Sequence, residues 1–249
     1  MLGSDFVRKV FCGIGIFIFI FIGINATAVG DGLDFLDIAE SADQNQKVVY
    51  LTFDDGPSIY TRAIMEILNE HSVPGIFFIL GESIDNIPES YDILNELHGA
   101  GHFLALHTMT HNRRSLYRLE RSPQNFVDEM FELQRLIAEI TGHHTNLCRA
   151  PYGVGGNFKA AHWKAVTSAG LYCVDWHIDS RDWEKSTAQQ VYDEVSRGLK
   201  KKQDSNELVI LFHENARTIT ALPQIIEMLQ NEGYTFRPYA ENHRFEGLR

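Results

Sequence analysis

From Val48 onward the chain alternates between short apolar runs and amphipathic stretches. The apolar runs predict strands at Val48–Phe53, Gly75–Ile79, His102–His107, Asn146–Arg149, Leu171–Asp175, Leu208–Phe212 and Tyr234–Pro238. Helical patterns lie between most of them. The clearest is Ser122–Thr141, with Ser122 as N-cap and Pro123 at the first helical position. Its residues Phe126, Met130, Leu133, Ile137 and Ile140 recur at steps of four and three, one face of a helix. Thr187 with Gln190 reads as a capping box opening a helix to about Leu199. Gly170 and Gly233 stand where helices should stop. Such alternation implies a mainly parallel α/β sheet. Seven strands suit a barrel or an open doubly wound sheet, and 249 residues suit one domain of that size.

Residues capable of chemistry gather at the C-terminal ends of these strands. Asp54 and Asp55 follow the first, and His107 and His111 end and follow the third. Arg149 ends the fourth, Asp175 to Trp183 follow the fifth, and His213 follows the sixth. That end is the active face of barrels and of open α/β sheets alike.

The N-terminus differs in kind. Arg8 and Lys9 precede an uncharged apolar stretch, Val10 to Ile24, and then the small-x-small pattern Ala26-Thr27-Ala28. Residues 1–28 therefore read as a secretory signal peptide, or as a membrane anchor if uncleaved. The apolar core is short for a spanning helix, which needs about 20 residues. Residues 29–46, rich in Asp, Gly, Ser and Gln, read as a linker, 47–240 as the catalytic domain and 241–249 as a tail. The expected location is exported: periplasmic, secreted or attached to the cell envelope. Beyond the signal, Cys148 and Cys173 could pair in an oxidising compartment or remain buried thiols. A formal charge of −11, with no basic stripe beyond Lys200-Lys201-Lys202, argues against nucleic acid as a partner.

Asp54 and Asp55 are adjacent carboxylates, and like charges this close need a reason to coexist. A cation on one would leave the other free as a base. His107-Thr108-Met109-Thr110-His111 spaces two imidazoles so that both can reach one ion. Two His and one Asp form the ligand set of a catalytic zinc or similar divalent ion, and also of non-haem iron oxygenases. Hydrolysis needs an activated water, a base and an acid. Asp54 is placed for the base, Arg149 could keep it ionised, and His213 is a candidate acid. Either Asp179 or Asp182 could raise the pKa of His213 and orient it. An oxygenase would not need this base-and-acid pair.

Five segments, in order, carry a family resemblance: Thr52-Phe53-Asp54-Asp55-Gly56-Pro57-Ser58, His107-Thr108-Met109-Thr110-His111, Arg149-Ala150-Pro151-Tyr152-Gly153, Asp179-Ser180-Arg181-Asp182-Trp183 and Leu211-Phe212-His213. Together they resemble the polysaccharide deacetylases of carbohydrate esterase family four, the NodB-type homology domain, from about Lys47 to Tyr239. The resemblance implies a distorted (β/α) barrel of about seven parallel strands. It implies removal of N-acetyl groups from the amino sugars of a polysaccharide such as peptidoglycan, a chitin-like polymer or poly-N-acetylglucosamine. Asp54 would be the base, and Asp55, His107 and His111 would hold one divalent metal ion, zinc first and cobalt or manganese as alternatives. Arg149 would orient Asp54, and Asp179 would tune His213 as the general acid. The backbone N–H of Tyr152 would stabilise the oxyanion, and Leu211 and Trp183 would line the pocket for the acetyl methyl.

Three positions depart from the family pattern: Ala150, Leu106 and Glu214 stand where proline, asparagine and aspartate are frequent. None removes an atom that chemistry needs. A non-catalytic glycan-binding relative is the alternative reading, and it should lack a base, a ligand or an acid.

Overall fold

Successive residues of the first strand go to different places, and that split organises the molecule. The computed structural model describes residues 46–248. In β1 (Val48–Gly56), Val49, Leu51 and Phe53 pack outward among the helices, while Val48 and Tyr50 join a second apolar cluster on the other face. A strand alternates faces with period two, so a strand buried on both sides reads as one continuous apolar run.

The remaining strands are β2 (Gly75–Ile79), β3 (Phe103–Leu106), β4 (Leu147–Cys148), β5 (Tyr172–Cys173), β6 (Ile178–Asp179), β7 (Glu207–His213) and β8 (Thr235–Phe236). They form one sheet in the order β5-β4-β3-β2-β1-β7-β6, with β8 beside the start of β1, and every pairing is parallel. The seven strands of that path curl into a half-barrel with β5 and β6 as its edges. Around it run α1 (Thr61–Glu70), α2 (Gly81–Asn86), α3 (Ser90–Gly99), α4 (Arg113–Tyr117), α5 (Ser122–Thr141), α6 (Ala160–Ser168), α7 (Ala188–Lys201) and α8 (Ala216–Asn231).

The central strands are locked by aromatic rings in register. Phe53 lies opposite Phe77 of β2 and Phe212 of β7, with ring centroids 5.0 and 5.7 Å away, and all three are fully buried. Each buried side chain of this size contributes about 1.5–3 kcal/mol. The row fixes the register that brings Asp54 level with His213.

The structure differs from the expected elements in two places. Strand β6 was not predicted, because two residues carry no pattern; it exists through its pairing to Ile210 and Leu211. Ser122 begins α5 rather than capping it, because it is buried and its hydroxyl faces His162 Nε2 at 3.3 Å. The expected capping box of Thr187 and Gln190 is present, and Gly170 and Gly233 follow α6 and α8 at φ of 73° and 80°.

Residues 241–248, expected as a tail, are docked against the N-terminal end of the half-barrel. Phe245 is buried beside Tyr50 and Tyr239 in the interior cluster. Its N–H donates to Tyr172 Oη of edge strand β5 at 2.8 Å, and the Glu246 carbonyl meets His177, just before the other edge strand, at 2.9 Å. Glu241 accepts from the Asn146 N–H at 2.5 Å, and Glu207 accepts from the Glu246 N–H at 2.6 Å. The segment thus ties the two edges that no strand pairing closes.

Cys148 and Cys173 are cross-strand neighbours, both buried and both free thiols. The expected signal peptide and all of the expected linker except Gln46 lie outside the described residues; Gln46 accepts a hydrogen bond from Arg237. Among the described residues no helix is long and apolar enough to cross a membrane.

Candidate active site and metal centre

A cavity of about 490 Å³ opens at the C-terminal ends of the strands. Asp54, Asp55, His107, His111, Tyr152, Trp176, Asp179, Trp183, Leu211 and His213 line it. All five sequence segments therefore meet there. Arg149 acts from beneath.

Asp55, His107 and His111 converge. Their nearest ligand atoms all lie within 4.8 Å of one another, with Asp55 Oδ1 3.3 Å from His107 Nε2 and 3.6 Å from His111 Nε2. Asp55 Oδ1 is buried and has no hydrogen-bond partner. A buried carboxylate oxygen left unpaired is costly, and a cation shared with two imidazoles removes the cost. Both tautomers suit that role. His107 Nδ1–H donates to the Arg149 carbonyl at 3.0 Å, which leaves Nε2 as a lone pair. Tyr152 Oη donates to the His111 carbonyl at 3.1 Å and accepts from His111 Nδ1–H at 3.1 Å. The second imidazole is thereby oriented in the same sense. These donors fit a divalent metal ion.

Asp54 occupies a different niche one residue away. It is almost fully buried, and Arg149 Nη1 donates to its Oδ1 at 2.8 Å. Arg149 is itself fully buried, donates to Thr52 Oγ1 at 2.7 Å and to the Asp175 carbonyl at 3.1 Å, and lies 4.0 Å above the Phe78 ring. A guanidinium so constrained gives the carboxylate a charge-assisted partner and fixes its aim. Burial alone would raise the Asp55 carboxyl. The adjacent imidazole of His107 first, and then the charges of His213 and His111, hold it well below the usual carboxylate range.

The expected pairing of Asp179 with His213 is corrected by the structure. Asp182 lies against the imidazole: its Oδ1 accepts from His213 Nδ1–H at 2.8 Å and its Oδ2 from the His213 backbone N–H at 2.7 Å. Asn215, the N-cap of α8, and Thr218 within it also donate to Asp182 Oδ2, at 3.0 and 2.5 Å. Asp179 instead accepts from the Arg181 N–H at 2.8 Å and forms part of the cavity wall. The reason is the backbone path. Arg181 adopts φ of 52°, which turns the chain so that Asp182, not Asp179, points into the core. Burial works against the His213 cation, but the hydrogen bond and charge of Asp182, with Asp54 and Asp55, lift its pKa to about 9.

Backbone strain collects at the same loops. Among the described residues seven non-glycine residues have positive φ, and five of them are Asp55, Thr108, His111, Tyr152 and Arg181. Such residues cost about 1–3 kcal/mol each and persist where their surroundings over-determine them. Here the supports are visible. Glu214, the departure from the family pattern, is buried with its pKa pushed up to about 7 by burial. It accepts from Ser58 Oγ at 2.6 Å and from the Thr61 hydroxyl. A Cβ on Gly56 would lie 2.0 Å from Glu214 Oε1, so a side chain there would displace the Glu214 carboxyl. Trp183 and Tyr152 stand at the mouth, 59% and 50% exposed, while Leu211 is buried in the wall. None of the described hydrogen bonds uses the Tyr152 N–H. Thr52, which opens the first segment, supports the site through its hydroxyl, and Asn215 and Thr218 do so through amide and hydroxyl contacts that no sequence pattern singled out.

Fold and site together define an α/β half-barrel hydrolase with an Asp-His-His centre. The polysaccharide deacetylase family model matches residues 41–174. A peptidoglycan-N-acetylglucosamine deacetylase of Bacillus cereus is 34% identical over 209 residues, 81% of this chain and 72% of that protein. A chitooligosaccharide deacetylase of Sinorhizobium fredii is 27% identical over 226 residues, 85% of this chain and 99% of that protein. The crystal structure of a polysaccharide deacetylase from Bacillus cereus superposes with a TM-score of 0.72 at 33% identity, over 80% of this chain and 95% of that one. The chain belongs to the polysaccharide deacetylase family, carbohydrate esterase family four, and is a hydrolase acting on amide bonds.

Proposed function

We propose that the protein releases acetate from the N-acetylated amino sugars of a cell-envelope polysaccharide, with Asp54 as general base and His213 as general acid. One observation carries this reading: Asp54 and His213 line the same cavity as the Asp55-His107-His111 group, each held by its own buried partner. A bound divalent cation, zinc in this reading, supplies a Lewis acid that polarises the acetamide carbonyl and acidifies water. Asp54 takes the proton of the attacking water as the new C–O bond forms. The Tyr152 N–H donates to the oxygen that gains charge, a contribution often worth several kcal/mol. His213 Nε2–H then protonates the sugar nitrogen as the C–N bond breaks, giving a free amine and acetate. Leu211 and Trp183 enclose the acetyl methyl.

For the polymer, the relatives offer two chemistries, peptidoglycan and chitooligosaccharide. The N-terminal sequence supports export and therefore an envelope polymer. Acetate release from purified peptidoglycan, measured beside N-acetylated chitooligosaccharides at matched acetamido concentration, tests the proposal. Preferential release from peptidoglycan is expected. Release from chitooligosaccharides alone would overturn the envelope assignment, and release from neither would overturn the activity.

A further inference from the structure

The turn that carries His107 and His111 leaves β3 and ends at α4, with Thr108 and His111 at φ of 70° and 53°. No regular element holds it. Its peptide groups are instead claimed from two sides. On one side the first residues of α2 take its carbonyls: Gly81 N–H donates to Thr108 O at 3.0 Å and Glu82 N–H to Met109 O at 2.8 Å. On the other side a single carboxylate takes its donors. Glu129 Oε2 accepts from the Met109 N–H at 3.2 Å and the Thr110 N–H at 3.0 Å, and the Thr110 hydroxyl donates to the same group at 3.0 Å.

Glu129 is well anchored for this. It sits on α5, whose Phe126, Met130, Leu133 and Ile137 are fully buried in the outer core. It touches neither metal ligand. The donors it holds are those of the two residues between His111 and strained Thr108, so releasing them frees the turn to relax and the two Nε2 atoms to part. Outer partners that orient ligands typically set metal affinity by about 10–100-fold.

We propose that Glu129 is a positioning residue of the metal centre, which tunes divalent-cation affinity by holding the turn between His107 and His111. The proposal rests on Asp55, His107 and His111 being the ligands. Metal-stripped wild-type protein and the variants Glu129→Ala, Glu129→Gln, Glu129→Asp and Glu132→Ala would be titrated with Zn²⁺ against a chromophoric chelator. Circular dichroism would check the fold of each. Glu129→Ala should raise the Zn²⁺ dissociation constant about 10–100-fold. Glu129→Gln, which keeps an acceptor for the two N–H groups, should stay near wild type. Exposed Glu132 on the same helix should be silent. At saturating Zn²⁺ the alanine variant should regain most of its turnover, which a general folding defect would not allow. If Glu129→Ala does not fold, Glu129→Asp, one methylene short, is the test and should weaken binding in the same direction. Wild-type affinity in a folded alanine or aspartate variant would overturn the proposal alone. Wild-type protein that takes up no Zn²⁺ would overturn the metal centre as well.

Discussion

Asp182 holds His213 twice, through the imidazole Nδ1–H at 2.8 Å and through the backbone N–H at 2.7 Å. The side chain and the strand end that carries it are thus fixed by one carboxylate, itself buried and pinned by Asn215 and Thr218. Nδ1 carries its proton toward Asp182, so Nε2 faces the cavity as the group that can deliver a proton.

Asp182→Asn should lower kcat/KM by about 10²–10⁴-fold, the usual worth of a positioned acid. The pH profile should move too. In wild type His213 keeps its proton up to about pH 9, so the alkaline limb falls there. Without Asp182 the pKa drops toward the ordinary value of about 6.5, and the limb moves toward neutral. The same linkage acts on stability in metal-free protein. The folded pKa lies above the unfolded one, so the stabilisation is complete below about pH 6.5 and is lost as pH rises to about 9. Urea midpoints should therefore fall across that window in wild type and stay flatter in Asp182→Asn. An unshifted alkaline limb would return the role to Asp179.

Asp54→Asn should keep the Arg149 contact in shape but remove the proton acceptor. Turnover should drop by about 10²–10⁴-fold while zinc content, read by elemental analysis, is retained. Turnover within a few-fold of wild type would exclude Asp54 as base.

Loss of a ligand and loss of its support should separate by degree. His107→Ala should bind Zn²⁺ so weakly that dialysis empties it. Tyr152→Phe removes only the hydroxyl that receives His111 Nδ1–H, and it should weaken affinity by about 10–100-fold. Chelation should abolish wild-type activity, and Zn²⁺ should restore it without oxygen. Full zinc occupancy in His107→Ala would remove that residue from the ligand set.

Phe245→Ala tests the docked C-terminal segment. The ring is 3% exposed and packs on Tyr50, Tyr239 and Tyr172, so its loss should cost about 3–5 kcal/mol and lower Tm by roughly 10 °C. Calorimetry that finds Tm unchanged would make residues 241–248 part of the tail expected at 241–249.

Much of the centre is local chemistry, and local chemistry is legible in sequence. Adjacent Asp54 and Asp55, the four-residue spacing of His107 and His111, and polar residues at successive strand ends mark a hydrolytic metal site before any coordinates exist. The continuous apolar runs and the 3.6-residue period likewise place most strands and the long helix α5. What remained open were choices between neighbours that only the chain's path in space can make. Asp179 and Asp182 are chemically identical and three residues apart; the left-handed Arg181 between them sends one into the core and leaves the other on the wall. Glu129 and Glu214 look like ordinary surface-helix and turn residues until distant segments bring them against the two ligand turns. The sequence by itself determined the reaction class and most of the residues that carry it, because ligand sets and strand periods depend on near neighbours. Tertiary structure alone decided which carboxylate serves the acid, what holds the strained turns and how the last residues close the half-barrel, because those contacts join positions far apart in the chain.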